Sequence, residues 1–308
     1  MDFTLSLSGV PFNLDYTLDS GQVFRWENRG EWWYGVVPGG VLKVRQEAGW
    51  IQCSSSSELL DSNYVRGYFR LDDNLQDILA TFTKDETMNG AAQRFYGMRL
   101  IRQDRWECLA SFVLTTNANI PRIKGMVAQV CARFGEPFDF EGETFRSFPR
   151  PERLSEAKLS ELRDCGLGYR AEYIKRVARA VDEGRVDFSE LALMDYETSR
   201  ETMLKRIFGE KTLHGVGPKV ADCVLLFSCG KDEAFPIDVW AARALERHYP
   251  GLLEDGLRAK LGSGAKASIT GGEYSRTSAA AREFFGQYAG YAQQYLFMLA
   301  RSEGRMSS

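Results

Sequence analysis

Two periodicities divide the chain. Between Gly21 and about Cys53, the apolar and aromatic runs Val23-Phe24-Arg25-Trp26, Trp32-Trp33-Tyr34-Gly35-Val36-Val37 and Val41-Leu42-Lys43-Val44 are separated by Gly-Gly or charged turn-like pieces. This spacing predicts an antiparallel sheet. After roughly residue 60 the period becomes helical, as in Trp106-Glu107-Cys108-Leu109-Ala110-Ser111-Phe112-Val113-Leu114, where apolar residues recur at three and four. Helical segments are expected from there to the C terminus. The predicted class is therefore α+β, with an N-terminal antiparallel β-sheet domain over 1–103 and a mostly α-helical region over 104–308. Between Gly251 and Ser278 lies the one stretch rich in Gly, Ser, Ala and Thr, part of which is expected to be a mobile surface loop. No repeat of 20–50 residues is present.

Composition narrows the picture. A chain of 308 residues, 44% hydrophobic and 12% aromatic, can bury large cores. No apolar run approaches the roughly 20 residues that span a bilayer, and Met1-Asp2-Phe3-Thr4 lacks the features of a signal peptide, so a soluble, intracellular protein is expected. Six cysteines, Cys53, Cys108, Cys131, Cys165, Cys223 and Cys229, show no C-x-x-C spacing, and His214 and His248 are the two histidines. That pattern predicts reduced thiols and argues against a zinc or iron–sulfur site. Residues 1–90 hold 13 acidic and seven basic side chains, against 29 and 32 over the remainder, so the overall charge of −3 hides a mildly basic C-terminal part. Phosphate contacts are compatible with this distribution but not required by it.

The chemistry concentrates in Leu213-His214-Gly215-Val216-Gly217-Pro218-Lys219-Val220-Ala221-Asp222-Cys223, which follows the helical pattern Met203-Leu204-Lys205-Arg206-Ile207-Phe208. Two glycines allow a tight hairpin, and Pro218 suits the first turn of the next helix. The element reads helix, hairpin, helix, and can aim backbone N–H groups at a phosphate. An ordinary turn between packed helices has the same spacing. Lys219 falls in a first turn, where the macrodipole disfavours a cation and so favours the neutral amine that attacks carbon. A lysine there can equally be a solvated one. Asp238, nineteen residues further on and just before another helical pattern, reads as an N-cap. A capped carboxylate is also held in place, and could stabilise a developing sugar cation where water is excluded.

The run from Leu213 to Asp238 resembles the helix-hairpin-helix, Gly/Pro-rich loop and aspartate signature of a DNA glycosylase superfamily, with the lysine of its bifunctional members. Ser20-Gly21-Gln22-Val23-Phe24-Arg25-Trp26, Thr116-Asn117-Ala118-Asn119-Ile120-Pro121-Arg122-Ile123, Gly166-Leu167-Gly168-Tyr169-Arg170-Ala171 and Tyr288-Ala289-Gly290-Tyr291-Ala292-Gln293 are similar, in order, to the 8-oxoguanine DNA glycosylases of the eukaryotic type. The resemblance covers almost the whole chain. It implies that Lys219 is the nucleophile and Asp238 its electrostatic partner. The Gly21 carbonyl would accept the N7 hydrogen of 8-oxoguanine, Cys223 and Phe297 would sandwich the flipped base, and Gln293 would meet its Watson–Crick edge. It further implies that Asn117 fills the gap in the duplex, that Arg122 and Arg170 read the opposite cytosine with Tyr169 wedged beside it, and that Gly215, Val216 and Gly217 contact phosphate. Arginine forks and amides suit base edges because both offer paired hydrogen bonds in a plane.

The implied activity is excision of 8-oxoguanine opposite cytosine followed by β-elimination at the abasic site. No cofactor is implied, although hairpin carbonyls could hold a monovalent cation. The partner would be duplex DNA containing 8-oxoguanine, bound by a monomer, with no membrane involved. Two positions depart from human-like members: Ala118 between Asn117 and Asn119, and Trp240 where a phosphate-contacting histidine stands. Both bear on DNA grip and on strictness for cytosine. A glycosylase for oxidised pyrimidines shares the lysine and aspartate but typically adds four cysteines near the C terminus, and no cysteine follows Cys229. A non-catalytic DNA-binding module would need the hairpin but not the Lys219–Asp238 pair.

Overall fold

The computed structural model describes residues 1–205, 217–262 and 269–306. Five strands, β1 (Asp2–Ser6), β2 (Trp26–Arg29), β3 (Trp32–Val37), β4 (Gly40–Glu47) and β5 (Trp50–Ser55), form an antiparallel sheet in the order β1-β5-β4-β3-β2. Alternation sets its faces: Trp33, Gly35 and Val37 turn inward on β3 while Trp32, Tyr34 and Val36 are half-buried. Gly35 is required opposite Trp26, since a Cβ there would lie 2.3 Å from the indole. Helices α1 (Leu14–Leu18), α2 (Ser62–Tyr68), α3 (Leu75–Phe82) and α4 (Glu86–Arg94) accompany the sheet in sequence.

The remainder is mainly helical: α5 (Arg105–Leu114), α6 (Ile120–Phe134), α7 (Pro151–Glu156), α8 (Leu159–Leu162), α9 (Arg170–Asp182), α10 (Phe188–Leu193), α11 (Tyr196–Met203), α12 (Pro218–Ser228), α13 (Val239–His248), α14 (Asp255–Gly262), α15 (Gly271–Phe285) and α16 (Ala289–Met306). One strand pair interrupts the helical segments. Strands β6 (Pro137–Phe140) and β7 (Glu143–Arg146) form a hairpin whose turn residues Glu141 and Gly142 have φ of 49° and 80°. Left-handed angles at both central residues are those of the two-residue turn that matches strand twist. The hairpin rests on the sheet through Lys43–Glu141 at 2.8 Å and Arg29–Glu143 at 2.7 Å. Helices α14 and α15 occupy most of the Gly/Ser-rich stretch. Thr270 and Glu273 cap α15 reciprocally, which offsets the poor helix propensity of Gly271 and Gly272. Residues 263–268 of that stretch lie outside the described residues.

The buried apolar side chains form two clusters. One lies under the sheet, from Leu5 to Leu71 with Ile101. The larger unites α3–α6 and the C-terminal helices, and takes in Phe24 from the sheet region. The two are stitched by a half-buried ion pair in which Arg70 grips both carboxylate oxygens of Asp232, at 2.7 and 2.6 Å. Arg99, almost wholly buried, donates to the carbonyls of Pro11 at 2.9 Å, Asp73 at 3.0 Å and Arg70. No described helix is long and apolar enough to cross a membrane.

Candidate active site

Lys219 is the second residue of α12, after Pro218 at its first position. The side chain runs to α5, where Nζ donates to Thr115 Oγ1 at 2.9 Å and lies 5.2 Å from the centroid of the Phe112 ring. The Thr115 hydroxyl spends its own proton on the Phe112 carbonyl, 2.7 Å away. Its oxygen is therefore presented to the lysine as an acceptor. Phe112 is wedged between Phe227 of α12, stacked at 5.5 Å, and Phe24 of the sheet region, edge-on at 5.6 Å. The amine thus rests on a floor built from three separate parts of the chain.

Asp238 caps α13 as its position predicts, with Oδ1 accepting from Ala241 N at 2.8 Å. Burial pushes its carboxyl pKa up; the nearby Lys219 charge and the Ala241 and Trp240 N–H groups pull it back. Cys223, one turn beyond Lys219, is buried, and its thiol is pushed up to about 12 by burial, against the pull of Lys219. It stays a neutral thiol at physiological pH and offers a soft apolar surface.

A further group of the expected site residues lies on α16 and on the segment before β2. Gly21 has φ of 82°, and a Cβ there would stand 3.2 Å from Ile120 Cδ1 and 3.4 Å from Phe297 Cε1. Both its conformation and its neighbours call for glycine. The carbonyls on either side are tied down: Ser20 O accepts from Gln294 Nε2 at 2.8 Å, and Gln22 O from Gln103 Nε2 at 2.7 Å. The Gln22 side chain is buried and bridges Arg99 O at 2.8 Å and Ile101 N at 2.8 Å. Gln293 is 4% exposed, and its Oε1 takes no hydrogen bond among the described residues. An unpaired buried amide oxygen costs about 1–3 kcal/mol unless a ligand or water satisfies it.

A second group forms at the junction of α5, α6 and α9. Asn117, with φ of 51°, points Nδ2 at the Tyr169 hydroxyl, 3.4 Å away. Arg170 is 2% exposed: Nε donates to Thr116 O at 2.9 Å, one Nη donates to Thr116 O and to Asn117 O at 3.2 Å, and the guanidinium lies 4.6 Å from the Tyr169 ring. Tyr169 is exposed, as is Arg122 in the first turn of α6, where its backbone N–H donates to the capping Asn119 Oδ1. Gly217 precedes α12, while His214, Gly215 and Val216 lie outside the described residues. Trp240 packs against Gly304 of α16, where a Cβ would come within 2.7 Å of the indole, and it carries the Arg243 guanidinium 5.6 Å from its ring.

Two family models divide the chain between them: the 8-oxoguanine DNA glycosylase N-terminal domain matches residues 4–109 and the HhH-GPD superfamily of base excision DNA repair proteins matches residues 110–252. A probable N-glycosylase/DNA lyase of Methanothermobacter thermautotrophicus is 30% identical over 95% of both chains. The chain belongs to the 8-oxoguanine DNA glycosylase family. It is an enzyme of the DNA N-glycosylase and lyase class. The N-glycosylase/DNA lyase OGG1 of Arabidopsis thaliana is 32% identical over 96% of this chain and 79% of its own. The 8-oxoguanine glycosylase/lyase of Clostridium acetobutylicum, solved with double-stranded DNA containing cytosine opposite 8-oxoG, superposes with a TM-score of 0.82 at 28% identity, over 95% of this chain and 93% of that one.

Thr115 and Phe112 are the side chains that sequence reasoning did not find. Thr115 stands next to the Thr116–Asn119 segment, yet nothing in its neighbourhood announces a contact with a lysine 104 residues away.

Proposed function

We propose that this glycosylase excises 8-oxoguanine from duplex DNA, opposite cytosine, and then cleaves the strand by β-elimination. The observation that carries the reading is the placement of the Lys219 amine. It is held on Thr115, near the half-buried Asp238 cap and one turn from Cys223, which shares a core with Phe297. As the C1′–N9 bond of the flipped nucleoside breaks, positive charge develops on the sugar next to Asp238, which stabilises it. The Lys219 nitrogen bonds to C1′, the base leaves with the glycosidic electron pair, and ring opening gives a Schiff base. Loss of a proton from C2′ expels the 3′ phosphate. The C2′ proton goes to water or to the departed base anion, and the chain itself supplies the amine and the carboxylate.

The base itself would lie between Cys223 and Phe297, with the Gly21 carbonyl at its N7 hydrogen and the unpaired Gln293 oxygen at its pairing edge. Asn117, Tyr169, Arg122 and Arg170 would face the orphaned cytosine, and Gly215, Val216 and Gly217 the phosphate. Nε and one Nη of Arg170 donate to the Thr116 and Asn117 carbonyls, so reading a base would fall to the other Nη or require those bonds to exchange. Borohydride trapping on duplexes carrying 8-oxoguanine, oxidised pyrimidines or an abasic site, each opposite all four bases, tests the reading. A covalent adduct formed best on 8-oxoguanine paired with cytosine is expected; equal trapping on oxidised pyrimidines overturns the substrate assignment.

A further inference from the structure

Asp222 lies on α12 between Lys219 and Cys223, roughly 100° round the helix from the cysteine. It is fully buried, so its carboxylate must be paired. Oδ1 accepts from the Tyr196 hydroxyl at 2.8 Å and from Arg200 Nε at 2.9 Å, both on α11, and Oδ2 accepts from the Tyr274 hydroxyl of α15 at 2.6 Å. The two tyrosines look equivalent, since each gives one buried hydroxyl to the same carboxylate. They differ in what the oxygen does next. The Tyr274 proton is committed to Asp222, and its oxygen accepts from the backbone N–H of Ile237 at 3.3 Å. Ile237 immediately precedes Asp238, outside α13, where no helical bond restrains its N–H.

We infer that Tyr274 is a positioning residue for Asp238, linking the helix that carries the nucleophile to the backbone that aims the carboxylate. The inference rests on the role given to Asp238 above. Without the Tyr274 oxygen, Ile237 N–H is left buried and unpaired, and the start of α13 is free to shift. The Ala241 and Trp240 N–H groups that favour an ionised Asp238 then hold it less well. The carboxylate becomes easier to protonate as well as less well placed.

The test is single-turnover excision against pH, per folded molecule, with Tyr274→Phe, Tyr196→Phe and Asp238→Asn in the full chain. Tyr274→Phe is expected to slow excision at least about fivefold, within what a small misplacement costs, and to move the acidic limb of the rate profile to higher pH. Tyr196→Phe removes an equal bond from Asp222 and is expected to leave the limb in place and the rate within about twofold, inside the spread of uncoupled changes. Should Tyr274→Phe fold poorly, 3-fluorotyrosine at that position keeps the shape while weakening the oxygen as an acceptor, and a smaller shift in the same direction is expected. Matching rates and limbs in the two phenylalanine variants, or an unmoved limb with fluorotyrosine, overturn the inference. Normal turnover by Asp238→Asn overturns instead the reading on which it stands.

Discussion

The site holding Lys219 and the cluster around Arg170 are both adjacent to α5, but they are built in opposite ways. In the first, functional groups are embedded in the larger core: Cys223 and Phe297 are buried, Asp238 is a helix cap, and the lysine is fastened to Thr115. In the second, Asn117, Arg122 and Tyr169 are exposed, and Arg170 is spent on the protein's own carbonyls. A reaction centre gains from groups already in place, since no reorganisation is then needed at the transition state. A surface that must first displace a base and then recognise its partner gains from side chains that can exchange one set of bonds for another. The chemistry should therefore respond to mutation through rate, and the neighbouring cluster through selectivity.

The largest effect is expected from Lys219→Gln, which should reduce excision and borohydride-trapped adduct to background while duplex binding stays within about threefold, because it deletes the proposed nucleophile alone. Retained trapping would falsify the assignment. Asp238→Asn keeps an oxygen for Ala241 N–H but loses the anion, so turnover should fall about 10²–10³-fold, the range for losing one preorganised electrostatic group, with little change in melting temperature. Its pH dependence has a definite sign. The folded pKa lies above the unfolded one, so the site contributes least stability above both values and gains as pH falls through the folded value. Acid should thus switch off catalysis while stabilising the fold at this position, and melting curves of Asp238→Asn should lack that increment. A steep loss of stability with normal turnover per folded molecule would leave Asp238 as a cap and nothing more.

Thr115→Val should cost about tenfold in excision rate, equivalent to about 1.4 kcal/mol, because the amine loses its acceptor and keeps only the Phe112 face. Thr115→Ser should restore most of it; failure of serine to rescue points to the methyl group's packing. Across the opposite base the expected change is in selectivity and not in the rate of the chemical step. The unmutated enzyme should favour cytosine over adenine by at least roughly tenfold, since an adenine amine would face a guanidinium donor unpaired. Arg170→Ala should narrow that ratio and lower stability by about 1 kcal/mol, the worth of its carbonyl bonds. A lowered melting temperature with an unchanged ratio would reduce Arg170 to a strut.

How much of this was legible in the sequence follows the range of the contacts. Lys219 and Asp238 stand in short runs punctuated by glycine and proline, and a cap is a local device, so the position of Asp238 at the start of α13 could be read directly. Strands β3 and β4 were visible as aromatic and aliphatic runs, whereas β1 was not, and of the run Val23–Trp26 only Trp26 lies in a strand. The β6–β7 hairpin was not visible, because four-residue strands within a helical stretch are too short to show a period. Thr115 could not be seen either, because its meaning comes from a partner 104 positions away. Asp222 looked like any polar residue on a helix; three donors from two other helices give it its place in the interior.

The last helix closes on the first segment. Gln294 reaches Ser20 across 274 residues, Tyr295 Oη donates to Met98 O at 3.0 Å, and Arg301 grips the Asp19 carbonyl. Contacts of such span form late, because a long loop must be closed before they repay its entropy. During synthesis the segment bearing Gly21 emerges early but lacks its opposing wall until α16 arrives. A chain released before that point lacks the α16 side chains proposed to hold the base, so unfinished molecules should be silent and not promiscuous cutters of DNA.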